Sequence, residues 1–276
     1  MIPLCDLHIH TTFCDGKNTP EEMVLEAIRR GCHTIGFSGH APTSVLWDPD
    51  WCIDERKLTD YCLEIQRLKK KYTEQIEILL GLELDYFSPK PSFACDYLIG
   101  SVHYTKPPQD YVSVDSGYDM LKAPLDDYYD GDILALARDF YTNTAQIVKR
   151  TNCTIVGHFD LLTKYNEKYS YLNEEDPRYR KLAIDALDCV LENDVFIEIN
   201  TGAMARGQRS LPYPAPFLLK RIAEKNGKVI LSSDAHQTAH LLYAFKDAVE
   251  YAGASGIREL WIYRDHKFDS IPIGTF

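Results

Sequence analysis

The chain has 276 residues, 45% of them apolar and 26% charged, which is the make-up of an ordinary globular protein large enough to bury a substantial core. Its net charge of −11 argues against a broad nucleic-acid or anionic-membrane surface, because phosphate backbones are bound by clustered Lys and Arg. No apolar run is long enough to span a bilayer, and no basic region with an apolar block marks a signal peptide, so a cytoplasmic protein is expected.

Ile2, Leu4, Leu7 and Ile9 mark a first strand. Side chains two apart on a strand share a face, which places Asp6, His8 and His10 together and Leu7 and Ile9 on the other side. Two imidazoles at that spacing can reach one cation, with the Asp15 carboxylate following on the next loop. Taken alone, histidines paired with backbone groups explain the pattern about as well. Thr19 as cap, Pro20 at the first position and Glu21 and Glu22 in the first turn open a helix that stops at Gly31. Residues 34–38 form a second strand, with Gly39-His40 just past its end. An amphipathic helix covers 54–72, with Leu58, Cys62, Ile65 and Leu68 at helical spacing. Strands follow at 76–84, ending in Gly81-Leu82-Glu83, and at 97–103. Residues 104–132 are the least regular stretch, with five tyrosines, seven aspartates and a short hairpin around 111–115, in the manner of a binding loop or lid. A helix at 133–150 leads to a strand at 154–158 and a Tyr-rich loop at 164–176. The remainder alternates helix 177–193, strand 195–200, helix 214–226, strand 228–232 and helix 238–251, with a last strand at 259–263.

About seven or eight strand–helix units, with no linker between them, predict one domain built on a parallel sheet. An open doubly wound sheet would carry a glycine-rich phosphate loop at its first turn; here that turn is His8-Ile9-His10-Thr11-Thr12. A closed β/α barrel is the better reading, with its site at the C-terminal ends of the strands. The eight cysteines include no C-x-x-C pair; several sit inside apolar runs, as buried thiols do, and structural thiols are expected, Cys14 standing apart because it adjoins Asp15.

Nearly every one of these strands ends in a residue that binds metals: His8 and His10, His40, Glu83, His103, His158, then Asp234 and His236. Six of the nine histidines fall at such ends, leaving only His33, His240 and His266 as ordinary residues. Any one of them is explained by a hydrogen-bonded histidine, but the set points to a metal site. H-x-H on the first strand, S-G-H at 38–40, G-L-E at 81–83, S-V-H at 101–103, G-H-F-D at 157–160 and S-D-A-H at 233–236 resemble the PHP superfamily, the polymerase and histidinol phosphatase group of metal-dependent phosphoesterases. The motifs come in that family's order over almost the whole chain. The single-domain length, the run from Gly100-Ser101-Val102-His103 to Val114-Asp115, and Ile199-Asn200-Thr201 resemble its histidinol-phosphate phosphatases in particular.

The resemblance implies an α/β fold, a distorted (β/α)7 TIM-like barrel in a single domain over residues 1–276, holding three divalent metal ions. Imidazole with carboxylate accepts zinc, iron or manganese. Carried over by motif, His8, His10, Glu83 and Asp234 take one metal. His103 and His158 take a second and share Glu83 as a bridge, and Asp15, His40 and His236 take the third. Asp15 lies in a loop, where a turn before Gly16 would also explain it. Three carboxylates against three divalent cations leave about +3, enough to draw a phosphate dianion into an acidic protein. Metal-activated hydroxide would then attack phosphorus. Asp160 would orient a ligand or protonate the leaving group, unless it only caps the next element. Arg206 and Arg209 are the candidates to grip phosphate, and Asp6 and Ser38 to support the ligands. Acidic and aromatic residues over such a centre suit a substrate with a cationic far end. The expected reaction is therefore hydrolysis of L-histidinol phosphate to L-histidinol and phosphate, in histidine biosynthesis. The alternatives are a related phosphoesterase acting on another small phosphate or nucleotide, and a non-catalytic metal-binding domain. No nucleic-acid or membrane partner is expected, and the oligomeric state is not legible.

Overall fold

The computed structural model describes residues 4–47 and 50–275, so Ile2 lies outside the described residues. One nine-stranded sheet organises them. Its first seven members are β1 (Leu4–Asp6), β2 (Cys32–Phe37), β3 (Glu77–Asp85), β4 (Tyr97–Ser101), β7 (Ile155–Val156), β8 (Phe196–Asn200) and β9 (Lys228–Ser232), all paired in parallel in chain order. β10 (Glu259–Arg264) continues in parallel from β9, and β11 (Lys267–Pro272) returns antiparallel to it. A separate two-stranded ribbon joins β5 (Tyr104–Thr105) to β6 (Val112–Ser113). The sheet curls so far that Ile9, beyond β1, bridges Ala235, beyond β9; the His10 N–H donates to Ala235 O at 2.9 Å and the Ala235 N–H to His8 O at 3.1 Å.

Parallel strands need crossover connections, and helices supply them. They are α1 (Pro20–Arg29), α2 (Leu58–Lys71), α3 (Tyr118–Tyr129), α4 (Ile133–Thr151), α5 (Asn166–Tyr169), α6 (Pro177–Leu191), α7 (Gly202–Ala205), α8 (Pro216–Glu224) and α9 (Phe245–Ala254). α1 starts where its sequence says it should: Thr19 and Glu22 form a reciprocal capping box and Pro20 opens the first turn. Apolar faces of α1 and α2 pack on one outer part of the sheet, and those of α3, α4, α6 and α8 on the rest. The inside of the curl has its own apolar plug of Cys5, Leu7, Leu79, Tyr97, Ile99, Ile155, Phe196 and Ile230. Tyr97 donates its hydroxyl to Leu7 O at 2.5 Å, and a Cβ at Gly81 would sit 2.5 Å from its ring. Below the rim the interior is therefore sealed, and polar inward-facing residues can collect only at the C-terminal ends.

Several expectations change. β1 ends at Asp6, so the predicted alternation does not run through the histidine pair: Leu7 joins the inner plug while Ile9 packs outside with α1. Residues 118–129, expected to be irregular, are α3, and the predicted hairpin pairs Tyr104 with Ser113 and Thr105 with Val112. The predicted helix at 238–251 is a 3-10 turn at Thr238–His240 followed by α9. All eight cysteines are free. Among the described residues no helix is long and apolar enough to cross a membrane.

Candidate metal centre

Each of the seven parallel strands except β8 delivers expected ligands to the rim, and the structure brings all nine of them together. Glu83, inward-facing near the end of β3 and buried, is the hub. Its Oε2 lies 3.2 Å from His8 Nε2, 3.5 Å from His10 Nε2 and 2.8 Å from His40 Nδ1. Its Oε1 lies 3.4 Å from His103 Nε2 and 2.9 Å from His158 Nε2, and accepts a hydrogen bond from Ser101 Oγ at 2.6 Å. Asp234 Oδ1 stands 3.3 Å from His10 Nε2, 3.7 Å from His8 Nε2 and 3.5 Å from His236 Nδ1. Asp15 faces the outer side, 3.6 Å from His40 Nε2 and 3.2 Å from His236 Nε2.

Four overlapping groups could each hold an ion: His10, Asp15, His40 and His236; His8, His158 and Asp234; His8, His10 and Glu83; and His40, Glu83 and His103. Among the described residues, His8 Nε2, His10 Nε2, His40 Nδ1 and Glu83 Oε2 are buried without a hydrogen-bond partner, although they converge to within a few ångströms. Buried polar atoms left unpaired cost about 1–3 kcal/mol each. A convergent set of imidazole and carboxylate atoms in that condition is a donor set that fits divalent cations.

Backbone requirements explain why glycine punctuates these motifs. A Cβ at Gly16 would lie 2.4 Å from Thr11 N, so the turn that presents Asp15 closes only around glycine. Asp234 itself takes a left-handed conformation, φ 48°. Gly202, at the start of α7, lets it in, since a Cβ there would lie 2.7 Å from the Asp234 carboxylate. A side chain held in that region is strained by about 1–3 kcal/mol and persists only where its surroundings hold it.

The site contains acids that sequence reading passed over. Glu198, inward on β8, accepts from His8 Nδ1 at 2.5 Å. Asp85, two residues beyond Glu83, lies 3.3 Å from His103 Nδ1 and accepts the His103 N–H at 2.8 Å. Both are buried. With two further carboxylates beside the cluster, the expected +3 falls to about +1. The signal was present in the pattern: Glu198 sits in Phe-Ile-Glu-Ile-Asn, where the alternation that buries Phe196 and Asn200 inward carries the acid with them. Burial opposes ionisation of Glu83 and Asp234, but the facing imidazoles and Arg206 hold both well below the usual carboxylate range. His10, buried between His40 and His236, is pushed well below its ordinary value. Asp6 does not stand with the histidines; it accepts from Ser233 N and Oγ, while Ser38 Oγ accepts from Ile9 N. Cys14 Sγ is 3.6 Å from His10 Nδ1, its thiol pushed up to about 12 by burial and Asp15.

A cavity of about 260 Å³ opens over the cluster, lined by Asp15, His40, Trp51, His103, His158, Asp234 and His236 together with Asp115, Lys164 and Arg206. Arg206 reaches Asp234 Oδ2 at 3.0 Å. Arg209 does not line it: the guanidinium turns away to Thr163 and the Leu211 carbonyl and lies over the Tyr213 ring. Asp160 does not line it either. The chain leaves the strand direction after His158 and enters a 3-10 turn at Leu161–Thr163, so Asp160 swings outward and its Oδ2 accepts the Ala215 N–H at 2.9 Å. Of the acidic residues in 104–132, Asp115 alone reaches the cavity, paired with Lys164. Lys164 and Trp51 were not singled out from sequence, since nothing local distinguishes them from surface residues, and Asp115 was noted only as the end of a motif, without a role.

A buried ring of imidazoles and carboxylates at the C-terminal rim of a curled parallel sheet, open to a cavity that cationic groups also line, defines a class of polynuclear metal-site proteins. The PHP domain family matches residues 6–202, and the chain belongs to it. It is 30% identical over 259 residues to a Deinococcus radiodurans protein described as "Probable histidinol-phosphatase", covering 91% of this chain and 93% of that one. To the "Histidinol-phosphatase" of Bacillus subtilis it is 28% identical over 272 residues, with coverage of 89% and 98%. Its fold is also that of the histidinol phosphate phosphatase of Lactococcus lactis, solved with zinc, L-histidinol and phosphate: TM-score 0.70, 22% identity, covering 96% of this chain and 98% of that chain.

Proposed function

We propose that this protein is a metal-dependent phosphomonoesterase that hydrolyses L-histidinol phosphate to L-histidinol and inorganic phosphate. The observation that carries the reading is the convergence of unpartnered imidazole and carboxylate atoms on Glu83 beneath a cavity also lined by Lys164 and Arg206. The likeness to proteins described as histidinol-phosphatases over nearly the whole chain supports the choice of substrate.

His8, His10, Asp15, His40, Glu83, His103, His158, Asp234 and His236 would hold three divalent cations, drawn from zinc, iron and manganese, with Glu83 shared between its two sides. Bound there, the cations supply Lewis acidity and lower the pKa of water. The protein's own groups do the rest. Arg206, with a fork that matches phosphate oxygens, and Lys164, as a point charge, draw and orient the phosphoryl group. Asp115, held down to about 2 against burial by Lys164 and His103, stays anionic and suits the cationic end of the substrate. Trp51, edge-on to His40 and His103, limits water over the ligands. We assign phosphate binding to Arg206 rather than Arg209, and leave Asp160 outside the chemistry. We read the seven parallel strands as a distorted (β/α)7 barrel closed through Ile9 and Ala235, forming a single domain over residues 1–276, and the enzyme as cytoplasmic. The test is turnover of L-histidinol phosphate against a panel of simple phosphomonoesters and nucleotides with metal-loaded protein. A marked preference for L-histidinol phosphate is expected; equal rates across the panel would overturn the substrate.

A further inference from the structure

Glu198 lies at the back of the cluster, on β8, which among the seven strands from β1 to β9 in the main sheet is the one that brings no expected ligand. It is fully buried, and all four of its acceptor positions are used. Oε1 accepts from His8 Nδ1 at 2.5 Å and from Ser232 Oγ. Oε2 accepts from the His158 N–H at 2.8 Å and from Asn200 Nδ2 at 2.8 Å. One carboxylate thus ties together β8, the extension of β1 that carries His8, the turn after β7 that carries His158, and the end of β9. The consequence for His8 is chemical. A carboxylate only accepts, so Nδ1 must carry the proton, which leaves Nε2, without a hydrogen-bond partner and facing Glu83 and Asp234, as the nitrogen that would offer a lone pair to a cation held between them. The other tautomer would set an Nδ1 lone pair against the carboxylate and aim an N–H into the cluster.

We propose that Glu198 is a positioning residue for the metal centre: it holds His8 as the Nδ1–H tautomer and pins the turn that presents His158. This rests on the reading of the cluster as a metal site. It also explains why an amide could not serve. Glutamine has one acceptor oxygen, so its NH2 must face either His8 and Ser232 or the His158 N–H and Asn200. The first choice reverses the His8 tautomer, and the second opposes donor to donor at the His158 turn.

The experiment compares wild type with Glu198→Gln by zinc competition against a chromophoric chelator and by 15N-edited NMR of the His8 ring in zinc-loaded protein, with circular dichroism as a control for folding. We expect wild-type His8 to carry its proton on Nδ1, and the variant to bind zinc about 10–100-fold more weakly, with the Nδ1–H signal shifted or lost and turnover recovering in excess zinc. Glu198→Asp, which keeps the carboxylate but shortens it, should fall between the two. Unchanged zinc affinity with an unchanged His8 tautomer in Glu198→Gln would overturn the assignment. So would a wild-type His8 protonated at Nε2, a result that needs no folded variant. Wild type that takes up no zinc, iron or manganese would instead remove the metal-centre reading itself.

Discussion

Arg206 and Arg209 are three residues apart after β8, yet their guanidiniums face opposite ways, and that difference separates binding from stability. Arg206 lines the cavity beside Asp234 and His236, so Arg206→Ala should remove a charge-assisted contact worth about 1.5–3 kcal/mol. Steady-state kinetics on L-histidinol phosphate should show kcat/KM falling by roughly 10–100-fold. Arg209→Lys should leave kcat/KM nearly unchanged and lower the urea midpoint, because its bonds to Thr163 and Leu211 brace one loop against another. Asp160 offers a pH-dependent case. Burial raises its carboxyl to about 6 against the pull of Arg209 and the Ala215 N–H, and its Oδ1 has no partner among the described residues. A folded pKa above the unfolded value of about 3.9 favours folding while the group is protonated, and that advantage is lost as pH rises through the folded pKa. Asp160→Asn does not ionise, so its stability relative to wild type should grow between about pH 4 and pH 6, by up to roughly 3 kcal/mol, and level off above. Urea unfolding across that range reads it directly, and turnover at neutral pH should persist.

At the scale of elements, the short pieces just past strand ends matter more than the strands. α7 begins at Gly202 because Asp234 occupies the space a side chain would need. Gly202→Ala should push the Asp234 carboxylate out of place; we expect metal content by elemental analysis and kcat to fall together, by about tenfold or more, with circular dichroism unchanged. The elements that sequence reading missed have local reasons. α3 contains Pro124 and is preceded at its cap position by Gly117, which offers no side-chain cap, so neither its start nor its interior reads as a helix. β11 is polar and mixed, and the turn before it uses Asp265 and His266, both at positive φ, in place of the usual Asn-Gly. β1 ends at Asp6, and beyond it the chain pairs instead through the bridge between Ile9 and Ala235.

Across the whole molecule, the rim gathers three expected carboxylates, two unexpected ones and six imidazoles from separate crossovers. Cations that bind this arrangement only when folded must stabilise it, by about 2.7 kcal/mol per site at a hundredfold excess over Kd. Chelation should therefore lower Tm by several degrees and abolish turnover, and stoichiometric zinc or manganese should restore both. Activity that survives exhaustive chelation with no bound metal would contradict this.

From the chain alone came the α/β class, the parallel sheet and all nine residues that meet at the rim: eight because strand-end position is a local property repeated at six strands, and Asp15 through the likeness of its motifs. Side-chain direction is different, because it depends on what a neighbouring crossover places opposite. Only the folded arrangement showed that Glu198 and Asp85 hold the imidazoles from behind, that Arg206 faces the cavity while Arg209 does not, and that Asp160 turns outward to Ala215. Each is a contact between residues far apart in sequence, decided by the curl of the sheet and by which buried groups could satisfy one another.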